Sequence, residues 1–598
     1  MEDEFGPYEV SVEQDVRVPM RDGIHLATDL YYPVNDGKPL DTPLPTVLVR
    51  TAYDRGGFEP RARYFASHGY LSISQDVRGT FGSEGDFFAF VNEVDDGMDV
   101  LDWIVNHPQS NGRVGMYGCS YMSWVQLALA TQNPKGLACL IPFGIAIDTF
   151  HHYAYPYGGL QLGMIRWVIF DVWRRSEEAR SDPEMMKAIE SIDFIRFAAQ
   201  MPWKRGETVL ARSPQFEDIV FHYLDNKTYN DFWKQPGHAF ESYFENFPDI
   251  PMLWISGWYD GYPRSVCEGY EKLGAMGRQA NQYLLLGPWV HNQLSGNDCG
   301  DVNFGPHAHI PRMDTQRAFF DRHLKQDASV PDPPRARAFV MGGGTGQKLE
   351  HGKMHHGGYW WHGEDWPPPA MKTAPWYLHS DGRLSPIQPN ASEASTTYEH
   401  DPADPVPSIS VPWIFNGYQE RGAADQLEPT ELVGNCTPGR PLADRGDVCV
   451  FQSQPLAEPV TLLGPFSARL WVSSDATDTD FTVKLVDVYP PNEDYPHGYA
   501  MLVCEGLLRM RYRESNVEMV LMQPGEVYPV TVSCFPASNR FEVGHRIRID
   551  IASSNYPRYE INTNIGDPDS AEHRIARNTI HHDHLRCSHA LLPIMPNA

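Results

Sequence analysis

The chain has 598 residues, 41% hydrophobic and 21% charged, a globular composition that excludes a wholly disordered protein and predicts about three or four domains. Its formal net charge of −28 would repel a phosphate backbone, so nucleic acid is disfavoured as a partner. No apolar run approaches the ~20 residues that cross a bilayer. The start, Met1-Glu2-Asp3-Glu4-Phe5, has no basic segment followed by an apolar one, and the nine cysteines form no CxxC pair, so a reducing, cytoplasmic setting is expected, with no membrane contact.

In chain order, Val16-Arg17-Val18, a turn at Arg21-Asp22-Gly23, and Leu26 to Tyr32 read as an antiparallel hairpin. Thr46 to Arg50 and Tyr70 to Ser74 are short buried-strand runs, with a helix from Pro60 to His68 between them, closed by Gly69. Val94, Met98, Leu101 and Ile104 define one face of a second helix. Arg113 to Tyr117 reads as a strand and Tyr121 to Gln132 as a helix. This alternation predicts a mostly parallel sheet covered on both faces.

From Asp148 to Phe247 the pattern turns helical, with a capped helix start at Asp182-Pro183 continuing from Met185 to Ala199, and another helix at Phe216 to Leu224. Strand runs resume at Met252 to Ile255 and Tyr283 to Leu286, so the helical stretch reads as an inserted cap. After Arg337 to Met341 a glycine- and histidine-rich stretch ends at Pro367-Pro368-Pro369, a candidate linker. The rest is β-like, and Arg546 to Ile551 alternates strictly, as a strand with one buried face does. The expected organisation is α/β: a hydrolase-like core over 1–147 and 248–366, a helical cap over 148–247, and a jelly-roll β-sandwich over 367–598.

Gly118-Cys119-Ser120-Tyr121 lies between a predicted strand and a predicted helix, where a sharp turn would push the serine hydroxyl out above the sheet. Asp260 follows the strand at Met252, and His291 follows the strand at Tyr283. Singly, Asp260 reads better as a turn or cap residue and His291 as a satisfied loop histidine. Jointly, the order Ser120, Asp260, His291 at strand ends is that of a hydrolase triad. Serine needs a base at neutral pH, histidine supplies it, and aspartate sets the tautomer.

These windows, with Arg50-Thr51-Ala52-Tyr53-Asp54, Gln75-Asp76-Val77-Arg78-Gly79, Gly82-Ser83-Glu84-Gly85, Asn111-Gly112-Arg113-Val114-Gly115, Gly257-Trp258-Tyr259-Asp260-Gly261, Gly287-Pro288-Trp289-Val290-His291 and Ser553-Ser554-Asn555-Tyr556-Pro557, resemble the cocaine esterase-like hydrolases, a group that includes X-prolyl dipeptidyl peptidases and α-amino acid ester hydrolases. The resemblance runs from about Val16 to Pro593 and implies an α/β-hydrolase core, a helical cap and a C-terminal jelly roll. It also implies an oxyanion hole made by the backbone N–H of Tyr121 and the hydroxyl of Tyr53. One departure is Ser123, where the family has glycine.

The function expected is cleavage of a small-molecule ester, or an amide, through an acyl-enzyme on Ser120, with no cofactor and no metal. An X-prolyl peptidase or amide acylase is the alternative, and a non-catalytic binding module is disfavoured. Gly261, Tyr262 and Pro263 follow Asp260, so no carboxylate is offered to a substrate ammonium there. The cap aromatics Tyr153, Tyr155, Tyr157, Trp167, Phe170 and Trp173 suit either an acyl pocket or the cap's own core. Gly79 to Gly85 lacks a P-loop lysine and reads as structural. Metal binding is the weaker reading for the histidines at 351, 355, 356 and 362 and at 581, 582 and 584. Glu93, Asp95, Asp96 and Asp99 read as a solvated acidic face. The sequence leaves room for a homo-oligomer.

Overall fold

The N-terminal hairpin forms between Glu9–Pro19 and His25–Asn35 in the computed structural model, which describes residues 5–291, 293, 295–410, 422–429 and 433–596. Strand Leu71–Asp76 joins this hairpin antiparallel and pairs parallel with Leu44–Thr51 on its other side. Parallel neighbours then follow in the order Ser110–Cys119, Leu137–Phe143, Met252–Gly257, Gln282–Gly287 and Ala336–Gly342. Leu71–Asp76, Met252–Gly257 and Gln282–Gly287 are buried throughout, as strands covered on both faces must be. From Leu44–Thr51 the chain goes first to one side of the sheet and then returns to the other, at Ser110–Cys119. That reversal opens a crevice at the carboxyl ends of these two strands.

The helices Glu59–Ser67 and Tyr121–Ala130 lie where the pattern predicts. The helix Glu93–Val105 is turned from its expected face: Glu93, Asp96, Val100, Leu101 and Ile104 are buried, whereas Val94 and Met98 are only half-buried. Ion pairing causes the turn. Arg50 holds Glu93 at 3.0 Å and Arg78 holds Asp96 at 2.6 Å, drawing two carboxylates inward. Only Asp95 and Asp99 form the expected outer acidic face, paired with Arg21.

Between strands Leu137–Phe143 and Met252–Gly257 the described elements are helical, among them Leu162–Trp167, Pro183–Glu190, Phe194–Ala198 and Pro214–Asp225. Asp182 caps the second through Glu184 and Met185 N–H, and the helix ends at Glu190 instead of running to Ala199, because Asp193 starts a new one. The two ends of the inserted stretch clasp each other, with Thr149 N–H on His238 O at 2.7 Å and Glu241 N–H on Ile147 O at 3.1 Å.

Strand Ala336–Gly342 is shared: it pairs with Gln282–Gly287, with Gly358–Gly363, and with Ala537–Phe541 of the C-terminal β domain. The glycine- and histidine-rich stretch is therefore partly a strand of the sheet and not a plain linker. A separate four-stranded sheet has the order Cys449–Gln452, Arg546–Ala552, Asp480–Tyr489, Tyr499–Arg509. Arg546–Ala552 is central in it and, past Arg546, buried on both faces, so Arg548 and Asp550 do not reach solvent and pair at 2.9 Å instead. Among the described residues no helix is long and apolar enough to cross a membrane, and no disulfide joins the cysteines.

Candidate active site

Ser120 joins strand Ser110–Cys119 to helix Tyr121–Ala130 at φ 61°, ψ −126°, a conformation that non-glycine residues rarely hold and that costs on the order of 1–3 kcal/mol. Its neighbours keep it there. Ser120 N–H donates to Phe143 O at 2.9 Å, tying the turn to the next strand. A side chain on Gly118 would place its Cβ 2.3 Å from that of Met122. The Ser123 hydroxyl lies 2.8 Å from Gly118 O and 2.9 Å from Phe143 O, and accepts Phe143 N–H at 2.8 Å. Serine in place of the family glycine thus adds a polar stitch from the helix to the two neighbouring strands. Ser120 itself is half-buried between fully buried neighbours.

Asp260 and His291 follow adjacent parallel strands and meet, Nδ1 to Oδ1 at 2.7 Å, both nearly fully buried. Gly261 N–H at 2.5 Å and the Ser256 hydroxyl at 3.0 Å complete the aspartate's donors. A carboxylate on Nδ1 keeps the proton there and the lone pair on Nε2, the form a general base requires. Room for the pair comes from Gly144 at φ 57°, where a Cβ would lie 2.8 Å from Asp260 Oδ2 and 3.1 Å from the imidazole. The Cys119 thiol donates to His291 O at 3.3 Å, joining the histidine loop to the residue before Ser120.

Tyr53 lies just past Leu44–Thr51, on the opposite side of the crevice. Its hydroxyl accepts Trp167 Nε1–H at 2.8 Å, with the Ser120 side chain also among its polar neighbours. Burial, and then the negative charge of Asp171, push the phenol well above its ordinary pKa, so it keeps its proton. The Tyr121 N–H opens a helix and has no acceptor within it. The Tyr121 ring serves another purpose: its hydroxyl donates to Glu93 Oε1 at 2.6 Å, and Glu93 pairs with Arg50. This buried relay beneath the turn was invisible in the sequence, where Glu93 reads as solvated.

Of the cap aromatics, Trp167 and Tyr153 join this region. Trp167 stacks on Phe90 and Tyr121, and Tyr153 packs on Trp124 and on Tyr262, whose ring centre is 5.3 Å from that of His291. Trp173 and Tyr155 pack within the cap, on Phe216 and Trp233. The histidine patches are dispersed: His356 is buried between Tyr489 and Asn539, while His351 reaches Asp298 at 3.4 Å. Among the described residues one group could hold a metal, Asp148, His151 and Glu241, whose ligand atoms lie within 4.8 Å of one another. Its charges already have partners, His151 on Asp148 at 3.0 Å and Lys272 on Glu241.

Residues 22–293 match the family described as X-Pro dipeptidyl-peptidase (S15 family), and residues 328–589 match the X-Pro dipeptidyl-peptidase C-terminal non-catalytic domain. The cocaine esterase of Rhodococcus sp. (strain MB1 Bresler) is 34% identical over 98% of this chain and 99% of its own. Two solved structures, each 25% identical with a TM-score of 0.79, are an aminopeptidase from a marine sediment archaeon, Thaumarchaeota archaeon, covering 100% of this chain and 99% of that one, and an α-amino acid ester hydrolase, covering 98% and 97%. An α/β-hydrolase domain followed by a β domain, matched along its length by such relatives, makes this chain a member of the cocaine esterase-like family, an ester-cleaving enzyme of the serine esterase type.

Proposed function

We propose that Ser120 attacks the carbonyl of a small, uncharged acyl ester, with His291 as base, Asp260 as its orienting carboxylate, and Tyr53 Oη–H and Tyr121 N–H as oxyanion donors. The observation that carries this reading is the strained serine turn, with the Tyr53 phenol beside it and a buried Asp–His pair at the neighbouring strand ends. His291 takes the serine proton as the C–O bond forms, and the carbonyl oxygen gains charge between the two donors. The imidazolium then returns the proton to the departing alkoxide. Water, activated by the same histidine, releases the acid and restores Ser120.

The stacked rings of Phe90, Trp124 and Trp167 beside Tyr53 support a flat or apolar acyl group. A cationic amine, as an X-prolyl peptide would bring, finds little here. The carboxylate nearest Tyr53 electrically, Asp171, is already paired with Arg166 and Arg175. The absence of disulfides suits a reducing, cytoplasmic setting. The test is a fluorophosphonate probe on wild type and Ser120→Ala, followed by a panel of aryl esters, alkyl esters and X-Pro amides. Labelling lost with Ser120 and turnover confined to esters is the expected result. Undiminished labelling of the variant, or faster turnover of X-Pro amides, overturns the reading.

A further inference from the structure

Trp167 is the last residue of the cap helix Leu162–Trp167, yet its indole N–H is spent on the core, on Tyr53 Oη at 2.8 Å. The indole is held for this contact from several sides. It stacks on Phe90 at 5.8 Å with the rings 11° apart, and on Tyr121 at 5.8 Å and 21°, while Phe87 meets it edge-on. Tyr53 is held too: its N–H donates to Thr51 Oγ1 at 3.0 Å, its ring meets Tyr121 edge-on, and the Arg175 guanidinium lies 5.9 Å from its ring centre.

A phenol has one proton and accepts with its lone pairs, whereas an indole N–H can only donate. With Trp167 donating, the phenol proton cannot point at the cap. The other polar neighbour of that hydroxyl is the Ser120 side chain, on the side where the oxyanion would form. Filling a lone pair also discourages Tyr53 from accepting the Ser120 proton, which His291 needs. A donor into the phenol oxygen polarises its O–H and strengthens it toward a developing alkoxide. These are three consequences of one contact between residues of two different parts of the fold.

We propose that Trp167 is a positioning residue for the oxyanion tyrosine: its indole N–H aims the Tyr53 proton at the reacting oxygen, so that the oxyanion hole is complete only with the cap in place. The proposal rests on Tyr53 being an oxyanion donor. It differs from a role in the acyl pocket, where Trp167 would act on substrate through its ring.

The test is a double-mutant cycle of Trp167→Phe and Tyr53→Phe, read as kcat and KM on one good ester. Trp167→Phe keeps an aromatic ring and removes the N–H. It should lower kcat about tenfold, the scale of one hydrogen bond to a neutral group, and change KM less than threefold. In the Tyr53→Phe background the same substitution should change kcat less than twofold, because nothing remains to be aimed. Equal losses in both backgrounds, or a raised KM at unchanged kcat, would make Trp167 a pocket wall and overturn the proposal. A silent Tyr53→Phe would instead remove the reading of Tyr53 on which it rests, a different outcome from either. Should Trp167→Phe fold poorly by near-ultraviolet circular dichroism, site-specific replacement of the indole by benzothiophene removes only the N–H. The same tenfold loss is expected from it, and full kcat would overturn the proposal.

Discussion

The strand ends of the hydrolase core and the interior of the β domain both bury charge, and they use it in opposite ways. In the β domain several carboxylates are bound by guanidinium groups: Arg509 grips Asp480 through two contacts of 2.9 Å, Arg558 holds Glu505 at 2.5 Å, and Arg511 holds Asp478 at 2.9 Å, while Asp487 meets His545 at 2.8 Å. Such pairs fix strands to one another, and each charge is cancelled where it stands. At the strand ends Asp260 receives a hydroxyl, a backbone N–H and an imidazole, and among the described residues no arginine or lysine pairs with it. An arginine there would cancel the field that stabilises the imidazolium as it forms. Buried charge alone therefore does not mark a reactive site. Nor does a buried Asp–His pair, since Asp487 and His545 form one in the β domain; at the strand ends the pair shares its crevice with the strained Ser120 turn.

The largest expected effect separates chemistry from stability. Ser120→Ala should lower hydrolysis roughly 10⁴-fold or more while the urea unfolding midpoint stays in place. Turnover within tenfold of wild type would put the nucleophile elsewhere.

Arg509→Met is the mirror experiment in the β domain. It leaves Asp480 buried beside an uncharged side chain and should cost about 3–5 kcal/mol of stability, with kcat per folded molecule unchanged. A midpoint equal to wild type would show that the pair is not a structural tie.

Tyr53→Phe should lower kcat by about 10²–10³ and leave KM nearly unchanged, because the phenol meets an oxygen that carries charge only in the transition state. Nearly full turnover would make Tyr53 a packing residue.

His238, where the two ends of the cap meet, offers a subtler contrast. It is buried among Phe90, Phe232 and Trp233 with no hydrogen-bond partner on either ring nitrogen, and burial lowers its pKa to about 4, against the opposing pull of Asp148. The unfolded chain binds this proton below pH ~6.5 and the folded chain only near pH 4, so stability is complete above ~6.5 and falls as the pH drops toward 4, by about 3 kcal/mol in all. Urea titrations at pH 5 and pH 7 check this: His238→Gln should show a smaller difference than wild type, and an unchanged difference would remove His238 as the cause.

The smallest expected effect is none. Prolonged chelation should leave kcat/KM within about twofold, since the proposed acyl transfer assigns every role to a side chain or a backbone N–H. A loss restored by zinc would instead direct attention to Asp148, His151 and Glu241.

Much of the core was legible because its signals are local. A short apolar run, a glycine and a helix-forming stretch make the Ser120 turn readable within about ten residues, and the placements of Asp260 and His291 need only the strands that precede them. The face of helix Glu93–Val105 was misread because hydropathy counts a carboxylate as solvent-seeking, while Arg50 and Arg78, distant in sequence, supply the charge that brings two of them inside. Arg546–Ala552 misled for the same reason: alternation reports polarity, and polar residues that pair with each other along a strand, as Arg548 and Asp550 do, are buried with the apolar ones.

By itself, then, the sequence determined the order of strands and helices, the sharp serine turn, and the strand ends at which serine, aspartate and histidine stand, since each follows from periodicity and backbone sterics over a few neighbours. Only the tertiary structure decided what surrounds them. The Trp167–Tyr53 contact spans 114 positions and exists because the cap docks on the core. The Tyr121–Glu93–Arg50 relay exists because two helices and a strand converge beneath the turn. Hydrogen bonds and ion pairs of this kind are strong only where water is excluded, and packing between distant parts of the chain decides where that is.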